Sequence, residues 1–273
     1  MCPTETDLRY DLHVHSCFSD GDVEPFELLQ MAQLQGLSGL AITDHDTIAA
    51  YTPELFFTAR QLGLTLILGA EISSLQGQKS VHVLAYAFEP NVIFLGFLAE
   101  IRQKRIERNL QILAKLQARG LAIAENELYP EVFSGSKGRP HIAKLLVQKG
   151  FVPNFQTAFD LYLKEGASCY VEASKFTTRQ VIEEVHLAGG KAVLAHPHKL
   201  VGEKLVDNLL ELPFDGLEGY SGRFNPGRRW LKIAEKKGWQ VTGGSDFHSK
   251  NLLSNFLGSS WTDEKTLAWL IKK

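Results

Sequence analysis

Apolar residues recur along this chain in two rhythms. Residues 8–14, Leu-Arg-Tyr-Asp-Leu-His-Val, carry the branched and apolar side chains of a strand, with neighbouring residues on opposite faces. Residues 24–35 place Phe26, Leu29 and Leu34 at helical spacing, with Pro25 early and Gly36 as a stop. A short buried strand is expected over 38–43. A helical stretch follows over 48–62, with Pro53 interrupting or restarting it. Residues 64–68 read as a strand ending in Gly69-Ala70-Glu71, and 80–88 alternate again. Strand and helix taking turns in this way predict an α/β architecture with a largely parallel sheet.

The rhythm then changes. From 91 to 120 the pattern is one or two helices, with Leu95, Leu98, Ile101, Ile106, Leu110, Leu113 and Leu116 on the apolar side. Further helical blocks are expected over 139–149 and 153–163. Residues 95–168 are therefore read as a helical insertion contributing substrate contacts, dividing a domain made of 1–94 and 169–273. The α/β rhythm resumes with Tyr170-Val171, a helix over 178–188, and strands over 191–195 and 214–220. A helix over 226–237 and a last strand over 239–243 complete it. No internal repeat, low-complexity segment or flexible linker interrupts the chain.

Polar residues at the strand ends change the picture. His13 and His15, Asp44 and His45, Glu71, His196, and Asp246 with His248 each fall at the carboxyl end of an expected strand. In a parallel barrel those ends converge on one face, where active sites are built. His13 and His15, two residues apart, share one strand face, and imidazole suits zinc, iron, manganese or nickel. The turn that follows brings Asp20 and Asp22 to the same end. Every histidine except His186 and His198 belongs to this set or to the nearby segments of His82 and His141.

The totals mainly exclude. Charged residues are 22% and net charge is −2, so no global field draws the protein to nucleic acid or a membrane. Three scattered cysteines give no disulfide framework and no thiolate zinc site, and suggest a reducing compartment. The first residues are polar and unlike a signal peptide, and no apolar run approaches the ~20 residues that cross a bilayer. A cytoplasmic protein with no membrane association and no obligate protein partner is expected.

Taken in order, Asp-Leu-His-Val-His-Ser with Ser-Asp-Gly, Ile-Thr-Asp-His-Asp, Gly-Ala-Glu-Ile-Ser, Val-His-Val-Leu, Ala-His-Pro and Gly-Ser-Asp-Phe-His resemble the motifs of the PHP (polymerase and histidinol phosphatase) superfamily. Gly138-Arg139-Pro140-His141 in the insertion, and the segment 188–197, are similar to the branch containing RNase AM and the nucleoside 3′,5′-bisphosphate phosphatases. The resemblance implies a distorted seven-stranded (β/α) barrel holding three divalent ions, Mn2+ foremost, with Zn2+ and Fe2+ as alternatives. By position, His13, His15, Glu71 and Asp246 would bind the first ion. Glu71 would bridge to a second, completed by His82 and His196. Asp20, His45 and His248 would hold the third. The implied reaction is hydrolysis of the 3′-phosphate of a nucleoside 3′,5′-bisphosphate, such as phosphoadenosine phosphate, and trimming of short 5′-phosphorylated RNA. Two readings stay open beside it: histidinol phosphatase, and a non-catalytic metal-binding module.

Other residues take roles from their chemistry. Lys137, Arg139 and His141 form a candidate pocket for a second phosphate, since guanidinium forks bind phosphate and helix N-termini favour anions. His141 also competes with His196 for the second ion; placed outside it, His141 becomes a phosphate contact or a proton donor. Arg223 is a further anion contact on the same argument. Asp44 is read as a carboxylate orienting an imidazole, Asp22 as a turn residue and Asp46 as a helix cap. Arg102, Lys104, Arg105, Arg108, Lys115 and Arg119 are read as a solvated helix face rather than an RNA guide. Phe94 and Phe97 are assigned to the insertion core, and Cys17 to packing.

Overall fold

Seven strands form one sheet in chain order: β1 (Tyr10–Val14), β2 (Gly39–Ile42), β3 (Thr65–Gln76), β4 (Lys79–Tyr86), β5 (Lys191–Leu194), β6 (Gly216–Ser221) and β7 (Gln240–Gly244). This computed structural model describes residues 8–131, 135–172, 176–222, 227–250 and 255–272. β7 returns beside β1, where the His15 amide donates to the Phe247 carbonyl at 2.8 Å and Val14 bridges Phe247. A side chain on Gly244 would collide with the His13 backbone, so this glycine is what lets the two edges approach. The sheet is nearly closed into a barrel. Leu12, Ala41, Ile67, Leu84 and Val193, from five successive strands, pack into one buried cluster on its concave side.

The sheet departs from the expected parallel order at one place. β3 does not end at Glu71; it runs on to Gln76, turns through Gly77 at a φ of +62°, and pairs antiparallel with β4. β4 is antiparallel to β5 as well. The expected strand at Tyr170-Val171 is absent, because Val171 packs instead on the apolar cluster of the insertion.

Helix starts follow the local chemistry. α1 (Pro25–Leu34) and α2 (Pro53–Gln61) both open on proline, whose missing N–H costs nothing at a first turn. Thr52 accepts from the Leu55 amide, so Pro53 begins α2 and residues 48–51 stay outside it. α3 (Val92–Gln117) is a single helix of 26 residues, capped by the Asn91 side chain at the Ile93 and Phe94 amides. After it come α4 (Glu125–Leu128), α5 (Arg139–Gln148) and α6 (Phe155–Ala158), the last continuing into a π-helical turn over Phe159–Leu163. α7 (Thr178–Leu187), α8 (Glu203–Leu210), α9 (Gly227–Lys237) and α10 (Glu264–Ile271) belong to the remainder of the barrel.

α3 joins two cores. Its first half places Phe94, Leu98 and Ile101 against Val83, Ala85 and Val181 on the barrel. Its second half places Ile112, Leu113 and Leu116 with Ile142, Leu146 and Leu163 in a separate cluster. Phe94 and Phe97, assigned from sequence to the insertion core, therefore pack on the barrel side. The helix leaves β4 already lying against the sheet.

Candidate metal centre

The rim of the barrel gathers its polar residues into one cluster. His13 is the penultimate residue of β1 and His15 follows the strand; both are fully buried, and Glu71 is 1% exposed. The Nε2 atoms of His13 and His15 lie 3.4 and 3.2 Å from Glu71 Oε2, and each lies 3.5 Å from Asp246 Oδ1. On the other carboxylate oxygen, Glu71 Oε1 stands 2.8 Å from His82 Nδ1 and 2.9 Å from His196 Nε2. Asp20 Oδ1 is 3.4 Å from His248 Nε2, and Asp20 Oδ2 is 3.6 Å from His45 Nε2. His82 reaches this rim because β4 is reversed: the first half of β4, not its end, lies there.

Among the described residues, three sets of ligand atoms are close enough to hold an ion: His15, Asp20, His45 and His248; His13, His15 and Glu71; and His45, Glu71 and His82. Compared with the sets implied by the resemblance, these groups hold His13, His15 and Glu71 without Asp246, and Glu71 and His82 without His196, although Asp246 lies 3.5 Å from both His13 and His15 and His196 lies 2.9 Å from Glu71. His15 also belongs to the Asp20 group, and His45 also approaches Glu71, at 3.2 Å.

As a purely protein network the cluster is mismatched. The two Nε2 atoms of His13 and His15 face each other at 3.2 Å, so only one can present a proton there. Burial pushes both imidazoles toward the neutral form, yet Glu218, Glu71 and Asp246 hold His13 well above its usual value. Hydrogen bonds to Asp246 and Glu71 likewise bring His15 up to about 10 against its burial. At His45 burial prevails and lowers it to about 3, despite Asp20 and Glu71. Burial would raise Glu71, but His82, His45 and His13 hold it well below the usual carboxylate range. Among the described residues, Asp20 Oδ1, His45 Nδ1 and His196 Nδ1 are buried without a hydrogen-bond partner. Divalent cations resolve both problems, accepting the unused lone pairs and replacing the crowded protons. The donor set is nitrogen and oxygen without thiolate, which fits manganese, iron or zinc.

The backbone is strained here. Among the described residues, four non-glycine positions have left-handed φ, and three are Asp46 (+57°), His196 (+27°) and Asp246 (+53°). Such conformations persist where surrounding bonds impose them, commonly at functional sites.

A cavity of about 180 Å³ opens beside His45, His82 and Asp20, lined also by Arg105, Arg108, Arg139 and Phe159. Arg105 pairs with Asp46 at 2.5 Å. Arg108 donates to Asn109 Oδ1, and Arg139 to the Leu163 carbonyl. Neither has a carboxylate at ion-pair distance among the described residues. Burial and the neighbouring Arg105 and Arg139 charges bring Arg108 down to about 9, still cationic at neutral pH. The solvated face expected of this helix is thus wrong for Arg105 and Arg108. Asp46 is likewise no helix cap: it is buried, accepts from the Ser73 amide and holds Arg105.

Of the expected phosphate pocket, Arg139 lines the cavity, while Lys137 and His141 do not. His141 accepts from the Gly138 amide at Nδ1 and donates from Nε2 to the Ser19 carbonyl. Burial and Lys137 lower it to about 4. In this arrangement its one proton is committed to Ser19, so it fastens the insertion to the β1–α1 loop instead of aiming at a leaving group. Arg223 lies outside the described residues. Asp44 binds the Ser16 amide and the Ser16 and Ser19 hydroxyls, and reaches the His15 ring by hydrogen bonds through Ser19. Asp22 accepts from the Ser249 hydroxyl, and burial together with Glu24 raises the Cys17 thiol to about 12.

Sequence reasoning missed Glu218 and Lys199. Glu218 bonds His13 Nδ1 at 2.8 Å and the His196 amide at 2.7 Å, and Lys199 donates to Asp246 Oδ2 at 2.7 Å. A carboxylate inside β6, following the buried Leu217, was the available signal for Glu218.

Comparison with known proteins agrees with this geometry. The PHP domain model matches residues 11–91. A 5′-3′ exoribonuclease of Haemophilus influenzae is 35% identical, with 88% of this chain and 90% of the relative covered. A 3′,5′-nucleoside bisphosphate phosphatase of Chromobacterium violaceum is 32% identical over 88% of this chain and 87% of the relative. A Bifidobacterium adolescentis protein described as a metal-dependent phosphoesterase superposes with a TM-score of 0.85 at 33% identity, covering 96% of this chain and 95% of its own. With these matches over most of its length and the clustered rim, the chain belongs to the PHP family of metal-dependent phosphoesterases.

Proposed function

We propose that this chain hydrolyses the 3′-phosphate of nucleoside 3′,5′-bisphosphates and trims short 5′-phosphorylated RNA from its 5′ end. The observation that carries the reading is the arginine cavity adjoining the histidine–carboxylate cluster. Arg105, Arg108 and Arg139 bring three guanidinium groups against one paired carboxylate, Asp46, in a space a phosphate can enter. Both reactions attack a 3′-phosphorus while a 5′-phosphate is held, so both call for a hydrolytic cluster with an anion pocket beside it. Histidinol phosphate carries an amine where this pocket offers cations, which disfavours it.

Three divalent ions, Mn2+ foremost, would be held by His13, His15, Glu71 and Asp246; by Glu71, His82 and His196; and by Asp20, His45 and His248. Bound there, they supply charge that stabilises an in-line displacement at phosphorus and lowers the pKa of the attacking water. The chain's own residues do the rest. Arg139 and Arg108 hold the second phosphate by charge-assisted hydrogen bonds. Arg105, fixed by Asp46, adds a third guanidinium to the same cavity. Pro140 and Phe159 add apolar surface to the cavity lining. Residues 95–168 are the unit that brings this pocket to the barrel.

The test compares phosphate release from a nucleoside 3′,5′-bisphosphate and from the matching 3′-monophosphate, with manganese, for the wild type and Arg139→Ala. Loss confined to the bisphosphate supports the pocket. Equal loss on both substrates removes it.

A further inference from the structure

We infer that Glu218 is a positioning residue that fixes two prospective metal ligands at once, the ring of His13 and the backbone of His196. The inference rests on reading the rim cluster as a metal centre.

Glu218 is 1% exposed on β6. One oxygen, Oε1, lies 2.8 Å from His13 Nδ1, and the other, Oε2, accepts from the His196 amide at 2.7 Å. A carboxylate can only accept, so the Nδ1 of His13 must carry the proton. The lone pair of neutral His13 is thereby placed on Nε2, the atom facing Glu71, Asp246 and His15. At the second contact the strained φ of +27° at His196 turns its amide onto Glu218 Oε2, and its ring then meets Glu71 at 2.9 Å. A single acid thus sets a tautomer on one side and a backbone conformation on the other.

Glu218→Gln is the informative change, because it keeps the shape and breaks the pattern. Glutamine has one accepting oxygen and one donating amide. With the oxygen toward His13, the amide meets the His196 N–H donor to donor. With the oxygen toward His196, the amide donates to His13 Nδ1 and drives the ring proton onto Nε2, where an ion would bind. Neither orientation keeps both contacts while leaving the lone pair of His13 on Nε2.

The experiment is chelator competition with manganese on the full chain, wild type against Glu218→Gln, with thermal unfolding of both metal-free proteins as the folding control. The expected result is a folded variant whose affinity for the ion at His13 falls by about 10–100-fold, the usual cost of losing a ligand's hydrogen-bond partner. Unchanged affinity in a folded variant overturns the inference while leaving the metal centre standing. A wild type that takes up no ion overturns the metal reading and this inference with it. If the variant fails to fold, nitrogen-proton NMR of the zinc-loaded wild type decides. A proton on His13 Nδ1 is the expected result, and a proton on Nε2 refutes it.

Discussion

The two halves of the site are built in opposite ways. On the barrel side, histidines and carboxylates of both charges crowd within hydrogen-bonding distance, each on a strand or the turn that ends it. On the insertion side, three arginines of one charge line an open cavity, held by a helix, a helix start and single neutral or acidic partners. The first arrangement is incomplete without cations and the second without an anion. A substrate bearing two phosphates and resident divalent ions completes both. On the proposed reading, the barrel side carries chemistry common to phosphoesters and the insertion side selects which phosphoester is accepted.

That division can be broken from either direction. Replacing Glu71 by Gln, or removing metal with a chelator, should suppress hydrolysis of every substrate. The expected loss exceeds the roughly 10–100-fold that a ligand's outer partner costs, and steady-state rates on mono- and bisphosphates check it. Arg108→Ala should raise KM for bisphosphates about 10–100-fold while sparing 3′-monophosphates, the scale of a lost hydrogen bond to a charged group. Parallel kinetics on the two substrates read this directly. Asp46→Asn should destabilise the protein by about 3 kcal/mol, because it leaves Arg105 half-buried without its carboxylate. Denaturant unfolding measures the change. The smallest effect belongs to Asn91→Ala, which removes the α3 cap at the barrel end for about 1 kcal/mol and leaves kcat/KM unchanged. Unfolding together with activity assays would show whether the helix start is purely structural.

The same division explains what could be read from sequence. An apolar run meeting a polar residue is visible in sequence, so His13, His196 and Asp246 could be read near strand ends, whereas Glu71 was legible only as a polar break, since β3 runs past it to Gln76. His82 was legible as a residue but not as a rim residue, because reversal of β4 depends on the turn at Gly77 and on pairing partners far along the chain. Arg105 and Arg108 were misread for a physical reason: a cation-rich helix face is usually hydrated, and only the packing of α3, which brings Arg105 onto Asp46 and Ser73 and buries Arg108, shows otherwise. Glu218 was passed over because its partners, His13 and the His196 amide, are distant in sequence.

The reversed strand has a further consequence. Because β4 descends from the rim, the chain emerges at the far end of the barrel, and α3 must climb the full height of the sheet to return. Its 26 residues span roughly 39 Å, and Arg105 lies about 20 Å above its start. Barrel height thus acts as a ruler for anion recognition: removing one turn of α3 below Arg102 would lower every guanidinium by about 5.4 Å, taking the pocket out of register with the ions it serves.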